Sequence, residues 1–331
     1  MNSLIWQILT VVILALGIFP ARNYAQSQAA EPVTSEDVNG LIEELSNWGR
    51  WGKEDQLGTL NLITPEKRVA AAALVTEGVS ISLSHPLLTE PAADNPSPFE
   101  HKMVAIPSET NAWAVDSISV VFHGFGHSHM DALCHLSHKG QYYNGRSIST
   151  VTDAGCAKGA IAIAGNGIFT RAVLMDIPRL KNRKWLEPGT PVYVEDLEAW
   201  EKEAGVKVGP GDAVLLRTGR WARRAELGPW EASQGFAGFH VSTVRWLKER
   251  DVAIVGTDGG LDVYPSGVAG VDAPVHLLVL VALGMPILDT MDFAAVADAA
   301  ALRKRWEFLL TAAPLRIPTG TGSPLNPIAT F

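Results

Sequence analysis

The sequence predicts an α/β fold in a single domain. Short apolar runs bounded by turn residues, as in buried strands, alternate with stretches of helical periodicity. No internal repeat or interior linker divides the chain. With 331 residues, 47% hydrophobic and 19% charged, it can bury a sizeable core and shows no bias toward disorder or a fibre.

The first residues stand apart. Leu4 to Phe19 is apolar except for Gln7 and Thr10, and is short for a membrane span. It suits the apolar region of a secretory signal, with cleavage after Ala25, although the n-region lacks Lys or Arg and Asn23 stands where a small residue is preferred. An uncleaved anchor is the other reading, and both put the folded part outside the cytoplasm, periplasmic or secreted. Residues 1–25 are thus read as signal peptide or N-terminal anchor, 26–45 as a flexible lead-in, and 46–331 as the folded domain.

Within that domain, Thr64-Pro65-Glu66-Lys67 starts a helix with a capping Thr, Pro at the first helical position and an acid in the first turn, and the Ala-rich stretch to Val75 continues it. Val79 to Leu83 alternates as a half-buried strand, and 88–101 reads as a surface loop. Ser117 to Phe122 reads as a strand running into a histidine cluster. Ala172 to Ile177, Ala213 to Arg217 and Ala253 to Thr257 are candidate buried strands, with helices at Val194 to Ala204 and Val241 to Glu249 between them. Val275 to Leu283 reads as an apolar helix, Pro286 to Leu288 as a short strand, Phe293 to Arg305 as a helix and Phe308 to Ala312 as a closing strand.

Composition also bounds function. A net charge of -8 argues against general affinity for nucleic acid or anionic membranes, which leaves a small molecule as the expected partner. There is no G-x-S-x-G elbow, no G-x-G-x-x-G after a strand, no Walker loop and no C-x-x-C pair. Cys134 and Cys156 are able to pair in an oxidising compartment; the sequence leaves that and a free buried thiol both open.

Five of the nine histidines fall between positions 123 and 138. If this stretch is extended, His123, His127, His129 and Asp131 point to one face, and imidazoles with a carboxylate converging on one spot suit a divalent transition metal. Phe, Met, Leu and Cys are interleaved, so the cluster is partly buried rather than a surface accident. His135, four residues past Asp131, reaches the same pocket as a general acid/base. His138, beside Lys139 and Gly140, sits on the way out.

His129-Met130-Asp131-Ala132-Leu133-Cys134-His135 resembles the second half of the motif H-x-G-T-H-x-D-x-P-x-H of the cyclase family, which includes bacterial kynurenine formamidases and isatin hydrolases. Asn47 to Val75, Gly124 to Gly145, Gly167 to Pro178, Gly211 to Trp221 and Val255 to Asp289 are similar to its longer-chain branch. The resemblance implies a swivelling β/β/α fold, a dimer or larger homo-oligomer, and one or two zinc or manganese ions. It implies metal ligands at His129 and Asp131 and catalysis at His135. Ala273-Pro274-Val275-His276 resembles a later metal-binding segment, and Ile287-Leu288-Asp289 the segment of the last carboxylate, which adds His276 and Asp289 as ligands.

Leu133 replaces the family's Pro, and Phe125 stands where the family has its first His. The missing imidazole is expected from His127 rather than His123. Asp258 reads as a turn or cap. Trp48 and Trp51 are read as packing or subunit contacts rather than as walls of a pocket for an aromatic substrate. The activity implied is hydrolysis of a small formamide, lactam or related carbonyl compound. A true cyclase or dehydratase with the same metal, and a non-enzymatic metal- or ligand-binding protein, are the other readings.

Overall fold

The computed structural model describes residues Val33–Phe331, which form one compact unit. The expected leader, 1–25, lies outside the described residues. Among those described, no helix is long and apolar enough to cross a membrane.

A nine-stranded sheet organises the unit. Its centre is four parallel strands in the order Ile168–Asp176, Ala213–Arg217, Ile254–Thr257 and Ile287–Asp289. Helices Val194–Ala204 and Thr243–Glu249 fall in the first two crossovers. The central strands are buried on both faces, which is why they read as continuous apolar runs. Trp200 ties its helix to the sheet, donating from Nε1 to the Leu174 carbonyl at 2.7 Å.

Antiparallel strands flank this centre. On one side lie Glu307–Ala312, Ile328–Thr330 and Ser80–Ser82; on the other, His129–Asp131 and Gly322–Pro324. Ile328–Thr330 is thus second in the sheet and Gly322–Pro324 ninth. Seven strand spacings would separate them by roughly 34 Å if the sheet were flat. Yet only three residues join Pro324 to Ile328, a reach of about 14 Å. The sheet therefore curls strongly, and its two sides approach each other at the C-terminal segment.

Several expectations change. The lead-in expected to be flexible over 26–45 is helical over Ser35–Leu45. Thr34 and Asp37 form a capping box, and Val38, Ile42 and Leu45 are buried at i, i+4, i+7 spacing. The apolar helix expected at Val275 to Leu283 is α-helical only over Pro274–Leu277 and continues as π-helix over Leu278–Leu283. It stops at left-handed Gly284, whose carbonyl is packed so tightly on Gly58 that no side chain fits there. The strand expected at Ser117 to Phe122 is Val115–Ser119, fully exposed, and pairs with Glu100–Ala105 outside the main sheet. Cys134 and Cys156 form a disulfide with Cα atoms 6.4 Å apart.

Candidate metal centre

The site starts from the antiparallel pair His129–Asp131 and Ile287–Asp289. Asp289 lies opposite His129, and Ile287 opposite Asp131. Alternation then puts His129, Asp131 and Asp289 on one face, while Met130 and Leu288 go to the other and are fully buried. His276 enters from helix Pro274–Leu277, with its Nε2 3.1 Å from Asp289 Oδ2 and 3.9 Å from Asp131 Oδ2. His123 Nδ1 stands 3.0 Å from Asp131 Oδ1, and His129 Nε2 stands 3.4 Å from the same oxygen.

Each imidazole is oriented through its other nitrogen. His129 Nδ1 donates to the His127 carbonyl at 2.8 Å, which leaves a lone pair on Nε2. His276 Nδ1 donates to Asp262 Oδ2 at 2.5 Å. Asp262 also accepts from the backbone N–H groups of Val275 and His276 at 2.6 and 3.0 Å, so one carboxylate fixes both the ring and the helix start. His123 Nε2 shares a hydrogen bond with Thr321 Oγ1 at 3.0 Å.

The inward atoms form two groups of three that share Asp131: His123, His129 and Asp131, and Asp131, His276 and Asp289. The donor atoms of each group lie within 4.8 Å of one another. His123 Nδ1 and Asp131 Oδ1 lie 3.0 Å apart but are not aligned for a hydrogen bond, so both, like Asp289 Oδ1, are buried without a hydrogen-bond partner. Buried, unpartnered carboxylate oxygens are costly, and a divalent cation removes that cost. The donor set of imidazole nitrogens and carboxylate oxygens fits zinc or manganese.

The electrostatics match a cation site. Burial pushes the Asp131 carboxyl up, but His129, His123, His135 and His276 outweigh it and hold it below the usual carboxylate range. Burial raises the Asp289 carboxyl, and neighbouring Asp131 adds to the rise. Burial lowers His276, yet Asp289 and Asp262 overcome this and raise it well above an ordinary imidazole. A proton on Nε2 thus occupies the direction a metal would take.

His135 lies on the tight turn after Asp131, its N–H bonded to the Ala132 carbonyl at 3.0 Å. Its ring stacks on His123 with centroids 4.0 Å apart. Burial pulls its pKa down to about 4, so the ring is neutral at ordinary pH.

The structure does not bring His127 to the cluster. Its Nε2 turns to the Ser97 carbonyl at 3.4 Å, and only its backbone serves the site, by holding His129. Residues 123–127 bend, with Gly124 at φ 129°, and the strand begins at His129, so alternation across the whole segment does not apply. His123 takes the inward position instead. Phe125 stacks on Phe236 with centroids 4.2 Å apart, and its carbonyl accepts from buried Arg220 at 2.5 Å. It lines a cavity of about 390 Å³ with Phe236, Gly260, Tyr264, Ala273 and His276.

Other candidates do structural work. Asp258 accepts from the backbone of Thr218 and Gly219 and from the Thr218 hydroxyl. His138 bonds Asn39 at 2.7 Å. Trp48 donates to the Val281 carbonyl and Trp51 packs beneath Arg50; neither lines the Phe125 cavity. Asp262 gives no sequence signal, because it lies 13 residues before Val275, whose N–H it accepts, outside the span of a local capping pattern.

The family model described as "Putative cyclase" matches residues 81–261. A crystal structure described as a novel cyclase is 33% identical, with a TM-score of 0.79, over 87% of this chain and 100% of that one. The chain belongs to the cyclase family. Isatin hydrolase A from Labrenzia aggregata, bound to benzyl benzoate, is 22% identical with a TM-score of 0.57, over 78% of this chain and 94% of that one. Isatin hydrolase A from Ralstonia solanacearum is 23% identical with a TM-score of 0.55, over 80% and 97%. These two share the fold. No curated protein matches the sequence.

Proposed function

We propose that the protein is an extracytoplasmic, divalent-metal-dependent hydrolase that cleaves the C–N bond of a small amide, a formamide or a lactam. The observation that carries the reading is the convergence of His123, His129, His276, Asp131 and Asp289 with buried, unpartnered oxygens. A bound divalent cation supplies Lewis acidity, polarising a carbonyl and activating water. One ion, or two sharing Asp131, would be zinc or manganese.

The chain's own residues do the rest. His135, neutral and beside His123, takes a proton from the attacking water and returns it to the leaving nitrogen. The recess lined by Phe125, Phe236 and Tyr264 beside His276 has the size and lining to hold an aromatic substrate. The disulfide supports an oxidising compartment.

The test is elemental analysis of the purified protein beside a His129→Ala, Asp131→Ala variant, followed by hydrolysis assays on formamides and lactams. Stoichiometric zinc or manganese, lost in the variant, with turnover that falls about 10²- to 10⁴-fold in His135→Ala, is expected. Absence of metal after reconstitution would overturn the reading and favour a ligand-binding protein. Release of water rather than its uptake would make the protein a cyclase or dehydratase with the same site.

A further inference from the structure

Strand Ala213–Arg217 runs through Thr218 and left-handed Gly219 into helix Arg220–Leu227. This is the carboxyl end of the parallel strands, where α/β sheets bind ligands. A group of charges lies there that the metal centre does not use. Arg220 is 3% exposed. Its Nη2 donates to Asp94 Oδ2 at 3.0 Å and to the Phe125 carbonyl, but its Nε and Nη1 are buried without a hydrogen-bond partner. Asp94 is shared, since it also accepts from Arg224 Nε and Nη2 at 2.7 and 3.0 Å. Asp258 is taken up by the N–H groups of Thr218 and Gly219 and by the Thr218 hydroxyl. One buried carboxylate therefore pairs with two guanidinium groups. Burial pulls the Arg220 pKa down to about 10, further than Asp94 and Asp258 restore it, so the group is charged at ordinary pH and under-compensated.

Arg220 and Arg223 line a cleft with Thr218, Trp230, Phe236 and Gly259. Its room of about 10 Å³ suits one guest the size of a water or a small ion. No acidic residue lines it. Glu187, the carboxylate nearest Arg223, is 3.4 Å away with its side chain 63% exposed. Among the lining side chains the Thr218 oxygen is the one acceptor, and its hydroxyl already donates to Asp258 at 2.7 Å. Water brings two hydrogens that need acceptors, whereas an anion only accepts.

We propose that this cleft binds a monovalent anion of about chloride's size, held by the unpartnered donors of Arg220 and by Arg223. The anion supplies the negative charge that Asp94 divides between Arg220 and Arg224. Arg220 also holds the Phe125 carbonyl, and Phe236 walls both the cleft and the recess beside His276, so the anion steadies that side of the recess. The proposal is independent of the metal and the reaction assigned above.

Diffraction at the bromine edge from crystals of the full chain grown in sodium bromide tests it. The expected result is an anomalous peak within about 3.5 Å of Arg220 Nε or Nη1. Raising chloride from about 3 to about 300 mM, with ionic strength held constant by gluconate, should raise the melting temperature by about 2–4 °C. Arg223→Gln should need about tenfold more chloride for the same rise, and Arg220→Gln should show no rise. Near-ultraviolet circular dichroism shows whether each variant is folded. If Arg220→Gln does not fold, the bromide peak in the wild type and the response of Arg223→Gln decide the matter. A water without anomalous signal at Arg220, or a chloride response that folded variants leave unchanged, overturns the proposal. Bromide at Arg220 with no effect of chloride on melting is an adventitious ion only, and overturns it too.

Discussion

Asp262 is the residue on which His276 depends: it fixes the ring tautomer and caps the short helix that carries it. Asp262→Asn should weaken metal binding about 10- to 100-fold while the protein stays folded, as measured by competition with a chromogenic chelator. The proton held on His276 gives a second prediction. Asp289 and Asp262 raise its folded pKa above the unfolded value of about 6.5. Its contribution to metal-free stability is therefore full below about pH 6.5 and is lost as pH rises through the raised folded value. Metal affinity runs the other way, because the proton must leave before Nε2 binds, so it rises over the same range. Calorimetry of metal-free protein and metal titrations from pH 6 to 9 should show these opposite slopes.

At this scale the sequence makes His129, Asp131 and His135 legible through one short motif, and His276 and Asp289 through two resemblances. The choice between His123 and His127 is not legible, because it turns on backbone bends around Gly124 that periodicity cannot register.

Among the elements, the parallel strands and helix Val194–Ala204 are legible because burial on both faces, or on one stripe, leaves a pattern in consecutive residues. Gly322–Pro324, at the edge of the sheet, and Ile328–Thr330, second in it, have three residues each, too few to show a period. The π-helical turn Leu278–Leu283 is buried all round, so its apolar run cannot distinguish one helix type from another.

The turn carrying His135 depends on the Cys134–Cys156 bond, whose sequence separation is 22. By loop-closure entropy that bond is worth about 3 kcal/mol. Reduction, or Cys156→Ser, should lower the melting temperature in calorimetry and reduce turnover through misplacement of His135. Gly58→Ala should destabilise the protein by about 2–4 kcal/mol in urea titrations, since its Cβ would collide with the Gly284 carbonyl.

For the whole molecule, the last residues matter out of proportion to their number. Gly322–Pro324 pairs with the strand carrying His129 and Asp131, and Ile328–Thr330 pairs with two strands on the far side. A chain truncated after Pro314 should lose its native near-ultraviolet dichroism and bind no metal, even though every expected ligand remains. Sequence reading yields the α/β class, but not this closure, which arises from pairings across hundreds of positions.

The curl also determines where other chains can add. The main sheet ends in strands of only three residues on each side, and one of them contains Pro324, so it offers almost no open row of backbone donors and acceptors. The hairpin of Glu100–Ala105 and Val115–Ser119, with strands of six and five residues and uncovered outer edges, is the longest such row among the described residues outside the main sheet. Aggregation during heating or storage should therefore begin there. Lys placed at Ile118 or Val104 should suppress it without touching the core.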